Sequence, residues 1–190
     1  MHIETDRLYI RQMTEEDRDL LSLIWIERCP TLFGLSNENQ EKLLDDLWET
    51  TQDPTLLTGV IFLRDGGRFC GRVNMQKIDQ DVPEVGVDIL KDYQNQGYGP
   101  EAIAAFANWY GENRRISEIK VHIFAENNHS THVFEKLGAV YVQDDPSFLK
   151  TAMSLAESLP EKRESIMQDL KVREYSLQLP ILELEKRMGL

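Results

Sequence analysis

Two glycines one residue apart mark the chemistry of this chain. They stand in Gln94-Asn95-Gln96-Gly97-Tyr98-Gly99-Pro100-Glu101-Ala102. A short β-branched run, Val85-Gly86-Val87-Asp88-Ile89-Leu90, precedes them, and a helical pattern runs on from Ala102. The run reads as a buried strand. Glycine lets the backbone turn tightly and approach a ligand with no Cβ in the way. Pro100, with its preset φ and no N–H, suits the first position of a helix. Strand, glycine turn and helix N-terminus together make an anion cradle, because unpaired N–H groups point outward and the helix dipole favours negative charge. The expected ligand carries phosphates. A Walker loop is excluded, since no Lys-Ser or Lys-Thr follows Gly99. A dinucleotide fingerprint tolerates Ala102 in its third position, but its cradle belongs near a first strand, and this one comes mid-chain after a hairpin.

What matches is Gln-x-x-Gly-x-Gly, and a second segment completes the pattern. Ile119-Lys120-Val121-His122-Ile123-Phe124 alternates like a strand, and Glu126-Asn127-Asn128-His129-Ser130-Thr131-His132-Val133-Phe134-Glu135-Lys136-Leu137-Gly138-Ala139 follows. The two segments resemble the two signatures of the GNAT superfamily of N-acetyltransferases. With the opening Ile3-Glu4-Thr5-Asp6-Arg7-Leu8-Tyr9-Ile10-Arg11, they look most like its ribosomal-protein N-terminal acetyltransferase (RimJ/RimL-like) branch. The matches cover most of residues 3–142 in order and spacing.

The resemblance implies an α/β (α+β) acyl-CoA N-acyltransferase fold: a mixed, mostly antiparallel twisted sheet with helices on both faces, parallel only between strands 83–90 and 119–124. It implies acetyl-CoA as acyl donor and a primary amine as acceptor, a small cationic amine or a peptide N-terminus, attacked directly in a ternary complex. The pyrophosphate is expected on the backbone of Gln96, Gly97 and Gly99, around Tyr98, with Gln94 and Asn95 at the rim. The pantetheine amides are expected on the strand edge at Asp88, Ile89 and Leu90, and Asn127 on the far side of the arm. Asn127 is equally a good helix cap. Ser130 is the candidate acid for the leaving thiolate, because Phe134 stands where the superfamily commonly has a tyrosine. Asp88 and Glu84, on one face of their strand, are the candidate bases; Asp88 is preferred, as it interrupts an apolar strand. His122 reads as hydrogen-bonded structure, and His129 and His132 as solvent-facing. No set of residues has metal-ligand spacing, so no metal is expected. The alternative is a CoA-binding regulatory or inactive module.

Composition narrows the classes. A chain of 190 residues, 41% hydrophobic and 28% charged, fits one domain. No apolar stretch approaches the roughly 20 residues of a membrane helix, and the opening lacks a signal-peptide pattern. Cys29 and Cys70 sit in apolar surroundings and read as free thiols; the expected compartment is the cytoplasm. A formal net charge of −12 argues against nucleic acid as the main ligand and leans towards cationic acceptors.

The elements that must position these residues follow from periodicity. Residues 7–12 alternate as a strand. Thr14 with Asp17 marks a helix start, and Leu20, Leu21, Leu23, Ile24 and Trp25 form that helix's apolar face until Pro30. A second helix runs over 37–51. Leu32 and Phe33 between them border the acceptor pocket or pack on the core. Strands 56–63 and 69–78 flank the turn Asp65-Gly66-Gly67. A helix is expected to about Glu112, another over 127–137 stopped by Gly138, and a strand from Val140. Residues 146–170 are a helical insert broken near Pro160, ahead of a last strand at 172–179 and a short tail helix after Pro180. The apolar faces of insert and tail suggest a homodimer.

Overall fold

The computed structural model describes residues 1–28, 37–158, 161, 163–169 and 171–181. Cys29, Pro30, Leu32, Phe33, Pro160, Leu170 and the tail helix lie outside these residues, so the expectations placed on them are carried no further.

Eight strands form one sheet: β1 (His2–Glu4), β2 (Leu8–Gln12), β3 (Leu56–Leu63), β4 (Phe69–Gln76), β5 (Glu84–Ile89), β6 (Glu118–Phe124), β7 (Val140–Asp144) and β8 (Val172–Gln178). Among the described residues six helices accompany them: α1 (Arg18–Arg28), α2 (Asn37–Thr50), α3 (Tyr98–Arg114), α4 (Asn128–Lys136), α5 (Pro146–Ser158) and α6 (Arg163–Asp169). The sheet order is β1-β2-β3-β4-β5-β6-β8-β7. Every neighbouring pair is antiparallel except β5 with β6. The strand expected at residues 7–12 is β2, and it is preceded by β1 in a hairpin closed by Thr5 N–H donating to Leu8 O at 3.0 Å.

Alternation within each strand divides the core between two faces. Ile61 packs in a cluster with Ile103, Phe106 and Tyr110 of α3 and Phe134 of α4, whereas its neighbour Val60 packs with Leu21, Ile24 and Trp25 of α1 on the opposite face. Ile103 and Phe106 are fully buried, and each contributes roughly 1.5–3 kcal/mol by leaving water. α2 joins the second cluster through Leu43, Leu44, Leu47 and Trp48. Before α1 the chain forms one 3-10 turn, Glu15–Asp17, closed by a capping box between Thr14 and Asp17. Asp17 accepts the Thr14 N–H at 2.8 Å and a double hydrogen bond from the Arg11 guanidinium at 2.6 and 2.7 Å.

The feature that matters for function is a fork in the sheet. β5 and β6 are paired at one position only, Glu84 with Lys120, and Lys120 N–H donates to Pro83 O at 2.9 Å. Beyond that point the strands part. Each keeps its other neighbour, β4 for β5 and β8 for β6, so the gap is held open from both sides.

Candidate active site

The gap opens into a cleft of about 1070 Å³. One wall is β5 and the loop after it, the other is β6 and the start of α4, and the N-terminus of α3 closes one end. Glu84, Asp88, Ile89, Leu90, Gln94, Asn95, Gly97, Tyr98, Gly99, Asn127 and Ser130 all line it. Every sequence-predicted site residue except Gln96 therefore lies on one surface, although the two signatures are separate in the chain.

The cradle is built as its sequence suggests. Gly97 has φ 81°, in the left-handed region where a side chain is strained, and is the cap residue of α3. Asn95 is also left-handed, at φ 59°, which asparagine tolerates better than most residues. α3 starts at Tyr98, so Pro100 is its third residue rather than its first. The proline still falls in the first turn, where its missing N–H costs no helical bond. Glu101 N–H makes the first helical bond, to Gly97 O at 3.3 Å; the N–H groups of Tyr98 and Gly99 precede it and have no helical acceptor. Gln94 and Gln96 brace the loop from within: their side-chain amides donate to Ile89 O at 2.8 Å and to Asp92 O at 2.9 Å.

Sequence reasoning missed a clamp beneath the loop. Arg7 donates to Gln96 O at 2.8 Å and to Glu101 Oε2 at 2.7 Å, and its guanidinium lies 4.8 Å from the centre of the Tyr98 ring. Thr5 hydroxyl donates to the same Glu101 carboxylate at 2.5 Å. The only local hint was an acidic residue in the first turn of α3; its partners are more than ninety positions away.

Two expectations need correction. Leu90 N–H donates to Cys70 O at 2.9 Å, and Asp88 is in register with Arg72 of β4. Backbone groups alternate sides along an antiparallel strand, so those of Asp88 and Leu90 face β4, while those of Val87 and Ile89 face the gap. The second correction concerns the Asp88 carboxylate. Arg72 Nε donates to one of its oxygens and Arg28 Nη1 to the other, both at 2.8 Å. With both oxygens held by guanidinium groups, Asp88 fastens the end of α1 to β5; it does not stand free as a base. Glu27 adds to the latch by accepting Lys91 N–H at 2.8 Å.

Glu84 stands at the apex of the fork. Lys77 Nζ lies 2.9 Å from one carboxylate oxygen and His122 Nδ1 lies 2.9 Å from the other. Burial alone would push this carboxyl up, but the hydrogen bonds from His122 and Lys77 outweigh it and hold it below the ordinary carboxylate range. The imidazole is raised by its hydrogen bond to Glu84, against the opposing effect of burial, with the charges of Glu84 and Asp145 adding to the rise. His122 Nε2 faces Asp145 Oδ2 at 2.9 Å and Glu174 Oε2 at 3.2 Å. Asn127 caps α4 by accepting Ser130 N–H at 3.0 Å, and Ser130 lies in that first turn on the cleft wall. Phe134 is buried in the core with its ring at the cleft's edge. Cys70 is fully buried, and desolvation, with the nearby Glu101 charge, pushes its thiol up to about 12, which makes it inert. Among the described residues no group of three His, Cys, Asp or Glu side chains is placed to hold a metal ion. No helix among them is long and apolar enough to cross a membrane.

A forked sheet with a glycine cradle at a helix N-terminus on one side of the gap is a specific arrangement, and the model of the acetyltransferase (GNAT) domain matches residues 7–140. The chain belongs to the GNAT acetyltransferase family. It is 22% identical over 143 residues to the uncharacterized N-acetyltransferase YoaA of Bacillus subtilis, covering 72% of this chain and 81% of that protein. Among solved structures it is similar to RimL, a ribosomal L7/L12 alpha-N-protein acetyltransferase in complex with coenzyme A (TM-score 0.67, 14% identity, 95% of this chain and 99% of the other). The spermidine N-acetyltransferase SpeG of Vibrio cholerae is comparably similar (TM-score 0.67, 14% identity, 97% and 98%). At such identities the two structures speak for the fold.

Proposed function

We propose that this GNAT protein transfers an acetyl group from acetyl-CoA to a primary amine, by direct attack within a ternary complex. The observation that carries the reading is the β5–β6 fork with the left-handed Gly97 turn and the unpaired N–H groups of α3 at one end. That cradle suits a pyrophosphate. The backbone of Gln96, Gly97, Tyr98 and Gly99 would meet it, with Gln94 and Asn95 holding the loop's shape. The gap-facing backbone of Val87 and Ile89 would pair with the pantetheine arm, with Asn127 and Ser130 opposite, and Leu90 would supply apolar packing. This leaves the thioester near the apex. Rate would come mainly from positioning of amine and thioester. Ser130 is the nearest hydroxyl on the α4 wall to serve the leaving sulfur.

The acceptor reading is a cationic amine, small or at a peptide N-terminus. The net charge of −12 raises the local concentration of cations. RimL and SpeG act on a protein and on spermidine respectively, which fits both halves of that class. Exposed apolar residues on the edge strand β7 (Val140, Tyr141 and Val142, each more than half exposed) and on α5 (Leu149, Met153) support a homodimer. One observation favours a second reading, a CoA-binding module without turnover: Phe134, where many relatives of the superfamily have a proton donor.

Calorimetry with acetyl-CoA and with ATP tests the cradle; tight binding of acetyl-CoA and none of ATP is expected. Thiol release from acetyl-CoA, screened over polyamines, aminoglycosides, amino acids and basic peptides, tests the transfer. Release with cationic acceptors, slowing as salt is raised, is the expected result. Binding with no release from any amine would establish the second reading, and preference for ATP would overturn both.

A further inference from the structure

The apex of the fork holds a charged cluster for which the fold has no packing need. His122 is on β6, on the face opposite the main core, and four charged groups surround it: Glu84 from β5, Lys77 behind Glu84, Asp145 from the turn before α5, and Glu174 from β8. All four sit around a ring that is nine-tenths buried and that, with Glu84, lines the cleft. Asp145 is itself fixed, because it accepts the Ser147 N–H at 2.7 Å and so caps α5.

We propose that Glu84 and His122 act as one proton acceptor for the substrate amine, with Glu84 as the group that touches the ammonium and His122 as the positioning residue that holds the proton. This rests on the acetyltransferase reading. Both ring nitrogens face carboxylate oxygens, an arrangement that suits the imidazolium. In its working form the ring is neutral, and its Nδ1 lone pair faces the Glu84 carboxylate. That repulsion is relieved only when a proton arrives between them. The substrate R–NH3⁺ gives one proton to Glu84, which passes it to Nδ1. The neutral nitrogen then forms the C–N bond to the acetyl carbonyl, and the C–S bond breaks. The nitrogen's second proton ends on the departing sulfur as CoA–SH. The imidazolium returns its proton to water by way of Nε2 and Glu174, whose side chain is 19% exposed and reaches solvent. One proton is released to solvent per acetyl group transferred, so charges and atoms balance.

The physical reason for a pair is basicity. A carboxylate held by Lys77 and His122 is a weak base on its own, and its ordinary value of 4.5 is lowered further. The imidazole starts at 6.5 and is raised. A proton passed from Glu84 to His122 therefore moves to the group that holds it better. The two groups titrate as a pair.

Two measurements on the full chain test this. In the first, the His122 ring is followed by NMR through a pH titration, its resonance assigned by its loss in His122→Gln. The midpoint is expected above 6.5 in the parent protein and lower in Glu84→Gln and Glu174→Gln, each of which removes a carboxylate from the ring. In the second, thiol release at saturating acetyl-CoA is measured against pH, with spermidine or a basic peptide, whichever turns over in the screen above. The rate should rise through the NMR midpoint, shift to lower pH in Glu174→Gln, and fall about 100-fold with loss of that limb in His122→Gln. Calorimetric affinity for acetyl-CoA should stay unchanged in both variants. Glu174→Gln keeps the ring, so the shift of its pH–rate limb tests the idea even if His122→Gln does not fold. A His122→Gln protein with the parent's rate and pH limb overturns the inference alone, as does an NMR midpoint indifferent to Glu84. No thiol release by the parent protein from any amine overturns it together with the transferase reading.

Discussion

Replacing Gly97 by alanine separates the backbone's shape from the chain's stability, because the fold supplies its own control. Gly97 has φ 81° at the start of α3, and Gly138 has φ 90° just after α4. Both are left-handed, so a Cβ at either costs about 1–2 kcal/mol in backbone strain. At Gly138 the new Cβ would meet no atom within 4 Å, and the residue is not part of the cleft wall. In a chain of this size 1 kcal/mol moves the melting temperature by about 2–4 °C, so both variants should melt roughly 2–8 °C below the parent. Their ligand binding should differ. The strain at residue 97 is relieved by rotating the peptide groups that would face the pyrophosphate. Losing one charge-assisted hydrogen bond costs about 1.5–3 kcal/mol, a fall of roughly 10–150-fold in affinity. Calorimetric titration with acetyl-CoA should show that loss in Gly97→Ala and parental affinity in Gly138→Ala. Equal affinity in the two variants, in either direction, would refute the assignment of the cradle to residues 94–99.

Three further outcomes follow. Asp88→Asn should lower stability by about 1–3 kcal/mol, because the Arg72 side chain, 12% exposed, loses its charged partner; melting measures this, and the pH–rate midpoint should stay where it is in the parent, since Asp88 is a latch and not a base. Arg11→Met should cost about 3 kcal/mol by stranding the buried Asp17 carboxylate. Burial pushes that carboxyl up, but the Arg11 and Thr14 hydrogen bonds outweigh it and hold it below its ordinary 3.8. Its contribution is thus present above 3.8 and lost as pH falls through the lower folded value; without Arg11 the folded value rises, and acid unfolding followed by circular dichroism should begin at higher pH. Sedimentation at micromolar concentration should show a dimer, and Tyr141→Lys on the exposed edge strand β7 should return it to monomer; a monomeric parent would refute the docking of β7.

What the sequence determined by itself is what a few consecutive residues can specify. Strand, glycine turn and helix start around Gly97 follow from φ preferences and missing donors within nine positions. The same holds for the Asn127 cap of α4 and the Thr14–Asp17 capping box, whose partners are three residues apart. Periodicity placed the core strands and helices because each of them buries one face, and Val60 and Ile61 could go to opposite clusters only by alternation. The resemblance between the two signatures and the GNAT pattern then fixed their pairing across a fork that no local signal reveals. Tertiary structure decided the charges. Asp88 looked free because Arg72 and Arg28 are 16 and 60 positions away. His122 looked like an isolated strand histidine because its carboxylates come from β5, β8 and the turn before α5. An ion pair depends on strand register and helix docking, which long-range packing sets, and its effect on a titrating group falls steeply with distance. The backbone of Leu90 was misassigned for the same reason: which side of β5 faces the gap depends on its hydrogen-bond phase with β4, and that phase belongs to the sheet, not to the strand.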